Sequence, residues 1–223
     1  MHEDNLQSQE QQQAPESAFG VLRRFARRPG NAERCELCAT VLAADHEHLI
    51  EIARRKLLCA CTACAVLFSG QSGAKYKRVP RRVVLLAGFQ MSDAQWDSLM
   101  IPIGMAFFFK SSLENKVVAL YPSPAGATES ELSLETWSDI VSANPELQSM
   151  EPDVEGLLVN RIALAGEPSP QYYMLPIDEC YGLVGLIRTH WRGFSGGSDV
   201  WQELRNFFRG LQSKAVVQEK THA

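Results

Sequence analysis

Two Cys-x2-Cys pairs, Cys35/Cys38 and Cys61/Cys64, stand 22 residues apart in a chain of 223 residues, and no other feature constrains the fold as much. Four thiolates arranged as two such pairs complete the tetrahedral shell of a structural zinc site. The intervening sequence fits that reading. "DHEHLIEI" alternates polar and apolar residues, "RKLLCAC" reads as a second extended stretch, and "TACAVLF" can open a helix. Knuckle, hairpin and helix in that order make a treble-clef or zinc-ribbon-like module, with the second cysteine pair at a helix N-terminus. There the thiolate charge meets the positive end of the helix dipole. Zinc is the expected metal because thiolate ligation without redox demand suits it. Rubredoxin-like iron or an iron-sulfur cluster would use similar residues and is the alternative.

Cys59, His46 and His48 fall outside this set, and each could replace one cysteine in a site of mixed ligands. On an extended strand His46 and His48 share a face, which makes them candidates for a second metal or a proton-transfer site. The simpler expectation is a pair of exposed hairpin histidines, one of them hydrogen-bonded to a zinc-bound sulfur. Cys59 and the distant Cys180 are expected as small buried hydrophobes.

Hydrophobic residues make up 45% of the chain, enough for a real core without disulfide staples. The formal net charge of -4, from 22 Lys and Arg against 26 Asp and Glu, supplies no chain-wide basic field for a nucleic-acid backbone. Residues 1–17 are rich in Gln, Glu and Ser and read as a disordered tail. The paired arginines that follow lack the apolar run of an export signal. The apolar runs at 83–89 and 101–109 are far shorter than a membrane-spanning helix requires. The expectation is a cytoplasmic protein with reduced thiols and no membrane insertion.

Four segments follow: the tail, a cysteine-rich module over 18–70, an α+β domain over 83–212, and a flexible C-terminus over 213–223. The stretch 69–82, with Gly70, Gly73 and Pro80, reads as an irregular junction. Strands are expected at 83–89, 103–109, 117–121, 157–164 and 172–175, each short, rich in Val, Ile, Phe and Tyr, and bounded by Gly, Pro or Ser. Ser92-x-x-Gln95 is a capping box. Leu134, Trp137, Ile140 and Val141 lie at helical spacing before Asn144-Pro145. Two clearer helical stripes run through Cys180, Leu183, Val184, Ile187 and Trp191, and through Val200, Leu204, Phe207, Phe208 and Leu211. The mixed α+β part therefore has enough apolar residues for a core of its own.

Two loops could carry a site. "YPSPAGATESEL" at 121–132 holds several hydroxyls but no nucleophile elbow. "RTHWRGFSGGSDVW" at 188–201 offers Arg188, His190 and Arg192 beside a helix start as a possible anion or partner site. Its glycine spacing is not that of a phosphate loop, and a helix-to-helix turn is the simpler reading. No catalytic residue is assigned.

Taken together, "RCELC", "HEHL", "CACTAC", "IPIGMAFFF", "YPSPAGATES", "DVEGLLVNR", "PIDECYGLVGLIR" and "WRGFSGG" resemble an uncharacterised bacterial domain family associated with high-affinity nickel-iron hydrogenase gene clusters, over roughly residues 19–211. The resemblance implies an accessory or maturation role, with hydrogenase subunits or maturation factors as protein partners. The expected function is thus a non-enzymatic accessory protein with a structural four-cysteine zinc site and a protein-docking α+β domain. A redox or metal-delivery protein holding iron is the alternative. A zinc-finger nucleic-acid binder using Arg23, Arg24, Arg27 and Arg28 for phosphate contacts is a third class, disfavoured by the acidic balance.

Overall fold

The computed structural model describes residues 32–70, 73–131, 134–164, 170–193 and 195–218. The expected N-terminal tail, the four arginines of residues 23–28 and the last five residues lie outside these. The fold is α+β: among the described residues ten strands form two sheets, with helices on both faces of the larger one.

The smaller sheet is built where the cysteines are. β1 (Glu47–Glu51) and β2 (Lys56–Ala60) form an antiparallel hairpin, turned by a 3-10 segment at Ile52–Arg54 and by Arg55 in the left-handed region. α1 (Thr62–Ser69) follows at once, and β3 (Tyr76–Arg78) pairs on the far side of β1. The stretch read as an irregular junction therefore contains a strand. Its Tyr-Lys-Arg sequence carries no hydrophobic alternation, because an edge strand this short is fixed by backbone pairing.

The larger sheet has the order β10-β4-β9-β8-β5-β6-β7. Its strands are β4 (Val84–Leu86), β5 (Met105–Ser111), β6 (Lys116–Ser123), β7 (Gly126–Ser130), β8 (Glu155–Asn160), β9 (Gln171–Pro176) and β10 (Val216–Gln218). All neighbours are antiparallel except β10 with β4. Two elements differ from the sequence reading. Residues 126–130, read as loop, form a hairpin partner for β6, and 216–218, read as flexible, add a parallel edge strand.

Alternation along the central strands divides the core into two layers. Met105, Phe107 and Phe109 of β5 point to one face with Leu158, Tyr173 and Leu175, under α4 (Ile177–His190) and α5 (Gly197–Lys214). Ala106 and Phe108 point to the other with Leu157, Val159 and Met174, under α2 (Asp93–Ser98) and α3 (Leu134–Ala143). The capping box opens α2 as read: Ser92 Oγ accepts from Gln95 N at 3.2 Å, and Gln95 Oε1 accepts from Ser92 N at 2.9 Å. Asn144 ends α3 and is fully buried, its amide bonded to Gln90 N and O and to Ile140 O. Cys180, Leu183, Val184 and Ile187 are buried on α4, and Val200, Leu204, Phe208 and Leu211 on α5, along the stripes the sequence shows.

The smaller sheet is not set apart from this core. Leu49 and Ala60 face inward on the cysteine side with Cys35, Cys64 and Ala65. Ile50, on the opposite face of β1, belongs to the main core beneath α4 and α5, and its cross-strand neighbour Leu57 packs against it. One hairpin thus lies between two hydrophobic layers. Polar contacts fix the same junction: Lys77 Nζ bonds Asp153 Oδ2 at 2.8 Å, and Arg55 pairs with Glu114 and Glu129 while stacking over Phe109.

Candidate metal centre

The knuckle and the helix start meet at four sulfurs. Residues 35–38 turn tightly, closed by Cys35 N to Thr40 O and Ala39 N to Cys35 O, both 2.8 Å, with Ala39 at φ 62°. Glu36 ties this turn to β2, its N–H donating to Cys59 O and its carboxylate accepting from Cys59 N and Lys56. On the other side the strand ends at Ala60, and Cys61 becomes the cap of α1, its sulfur accepting from Cys64 N at 3.5 Å. Had β2 continued, Cys61 would share the face of Cys59. The change from strand to helix swings it towards the knuckle instead.

The sulfurs of Cys35, Cys38, Cys61 and Cys64 all lie within 4.8 Å of one another, and Cys38 Sγ is 3.7 Å from Cys61 Sγ. Four sulfurs held tetrahedrally at the zinc–sulfur bond length are about 3.8 Å apart. The described cysteines are all free thiols. Hydrogen bonds from the Thr40 hydroxyl and backbone lower the Cys38 thiol to about 6, while burial, with the neighbouring thiols adding to it, pushes Cys64 up to about 12. A cation bound among these sulfurs would draw off the remaining protons, as thiolate ligation requires.

A second cluster occupies the opposite face of the same hairpin. His46, His48 and Cys59 each place a ligand atom within 4.8 Å of the others. The register pairs His48 with Cys59 across the two strands, and the rings of His46 and His48 meet edge to face at 4.9 Å. The His48 Nδ1 lies 2.6 Å from Asp178 Oδ2 at the start of α4, and this carboxylate raises the imidazole pKa. The expectation of exposed hairpin histidines is corrected here: the His46 side chain is only 8% exposed and that of His48 28%. Neither Asp178, 130 residues from its partner, nor Glu36 was marked by any spacing in the sequence.

The remaining candidates are not gathered into one site. Arg188 is exposed on α4 beside the β6–β7 turn, and His190 is half-buried. Arg192 donates to the carbonyls of Thr189 and Trp191 at 2.8 Å, so its guanidinium serves the C-terminal end of α4. Gly196 and Gly197 are left-handed, and a Cβ on Gly196 would come within 2.8 Å of Val200 Cγ1, which fits the helix-to-helix turn. Cys180 is fully buried, and burial pushes its thiol pKa well up. No helix among the described residues is long and apolar enough to cross a membrane.

A family model described as a family of unknown function, DUF5947, matches residues 34–215. The chain belongs to that family. The DUF5947 match begins one residue before the first knuckle cysteine and spans the cysteine module and every strand of the larger sheet except β10. Searches of curated proteins and of solved structures return no match.

Proposed function

We propose that this DUF5947 protein is a non-enzymatic accessory protein whose Cys35, Cys38, Cys61 and Cys64 hold one structural zinc ion in a treble-clef module. The observation that carries the reading is the convergence of four free thiols from a knuckle and a helix N-terminus, at a separation that suits one tetrahedral metal. The metal's role is to close a small module whose own core consists of little more than Leu49, Ala60, Ala65 and the cysteines. Docking to a protein partner is supported by α1, where the consecutive Val66, Leu67 and Phe68 are 62%, 63% and 42% exposed. A place beside a nickel-iron hydrogenase rests on the sequence resemblance, with a hydrogenase subunit or maturation factor as the partner, and a cytoplasmic setting rests on the short apolar runs and free thiols of the sequence. The test is metal analysis of the full chain and its single Cys→Ser variants, with co-purification against hydrogenase components. One zinc per chain, lost in each of the four variants and kept in Cys59→Ser, is the expected result.

One observation favours a second reading, metal delivery or redox work with iron. Cys38 is exposed, and its hydrogen bonds to Thr40 lower its thiol pKa to about 6, so this ligand is open to exchange. Strong visible absorption by protein purified without oxygen would select this reading over zinc.

A further inference from the structure

We propose that His46, His48 and Cys59 form a second metal site, distinct from the four-cysteine centre, with a coordination position left open towards a cleft between the module and α4. The hydrogen bonds of the two imidazoles carry the argument. His46 Nδ1 faces two acceptors, Ala43 O at 3.0 Å and Glu33 Oε2 at 3.6 Å, and His48 Nδ1 faces Asp178 Oδ2 at 2.6 Å. Both protons are thereby assigned to Nδ1, leaving each Nε2 with a lone pair. This is the arrangement of metal-binding histidines, whose far nitrogen is oriented by a carbonyl or a carboxylate.

The second observation is an orphan. His46 Nε2 is buried and has no hydrogen-bond partner, on a side chain more than nine-tenths buried. An unsatisfied ring nitrogen at that depth is costly unless something binds it, and what lies within reach is His48 and the Cys59 thiol. Two imidazoles and one thiolate suit a borderline cation such as Zn²⁺ or Co²⁺, and three protein ligands leave a fourth position free. His46 and His48 line a cleft of about 280 Å³ that also receives Arg81, Asp178 and Lys214. A divalent ion with one thiolate carries a net positive charge, so the open position takes water or a small anion. Binding releases the Cys59 thiol proton, together with any proton that His48 carries on Nε2.

The test uses the full chain as purified, with its first metal in place, titrated with Co²⁺. A second equivalent is expected to bind with thiolate-to-cobalt absorption while the first metal is retained, and azide should shift the cobalt bands through the open position. His46→Ala and Cys59→Ala, which each remove a ligand, should weaken this second binding by more than about 100-fold. Asp178→Asn, which keeps the shape but weakens the acceptor, should weaken it by about 10- to 100-fold. Retained first-metal content and an unchanged circular dichroism spectrum show that these variants still fold. A variant that fails this check is replaced by Cys59→Ser, for which the same loss is expected. Absence of a second equivalent in the parent protein, cobalt uptake only by displacement of the first metal, or second-site affinity unchanged in the variants would overturn the proposal.

Discussion

The two faces of the β1–β2 hairpin carry two ligand clusters built in different ways. On one face, four thiols come from residues 35–64 alone, and every hydrogen bond that shapes them is local: Cys35 with Thr40, Glu36 with Cys59, Cys61 with Cys64. On the other, His46, His48 and Cys59 share the face of Ile50, which is sunk in the core of the larger sheet, and Asp178 of α4 orients His48. The first cluster is a property of a short segment and the second a property of the folded whole. Metal at the four thiols should therefore govern the module, while changes on the opposite face should reach the entire protein.

The largest expected effect is loss of the four-thiol metal. Structural zinc contributes on the order of 10–16 kcal/mol of apparent binding free energy in isolated modules, so Cys64→Ser should abolish stoichiometric metal and raise amide exchange across residues 34–70. Exchange in β5 and β8 should change far less, and hydrogen-exchange mass spectrometry reads both. Equal loosening of the central strands would break the distinction between the faces.

Next in size is Ile50→Ala. Although it lies on the module, its side chain is 3% exposed within the main core, and truncation should cost about 2–4 kcal/mol of global stability. The paired variant Leu49→Ala, on the cysteine face, should instead weaken metal retention with a smaller change in global unfolding. Denaturation monitored by tryptophan fluorescence, with Trp96 and Trp137 buried under the larger sheet, separates the two. The reverse pattern would mean that module and domain keep separate cores.

A smaller effect is expected at the Lys77–Asp153 clamp. Burial of Asp153 opposes its ionisation, but Lys77 and the Ser112 N–H outweigh it, and the carboxyl pKa lies below its usual value. A depressed carboxyl stabilises the fold above its unfolded pKa of about 3.9, and that contribution fades as pH falls through the folded value. Asp153→Asn, compatible with the left-handed backbone at φ 70°, should cost about 1–3 kcal/mol at pH 7. The difference from the parent protein should shrink below about pH 4, and chemical unfolding across pH 3–7 checks this. A pH-independent difference would rule out the ion pair as the source.

How much of this was legible in the sequence follows the same divide. The four cysteines could be read because their ligation is encoded in spacing, and the stripes of α4 and α5 because each buries one face. β3, β7 and β10 could not, since Tyr76–Arg78 and Gly126–Ser130 lack an apolar alternation and Val216–Gln218 is exposed throughout. These are edge or near-edge strands held by backbone pairing, which leaves no pattern in side chains. The His46–His48 face was read correctly from period two. Its burial was not, because that depends on α4 packing against the hairpin from more than a hundred residues away.

Whether four thiolates hold one metal ion is decided by X-ray absorption at the zinc edge of the Cys59→Ala variant, which lacks the remaining hairpin sulfur. One zinc per chain with four sulfur neighbours at about 2.3 Å is the expected result. A nitrogen or oxygen neighbour in the first coordination sphere, or a variant that purifies without zinc, would contradict it.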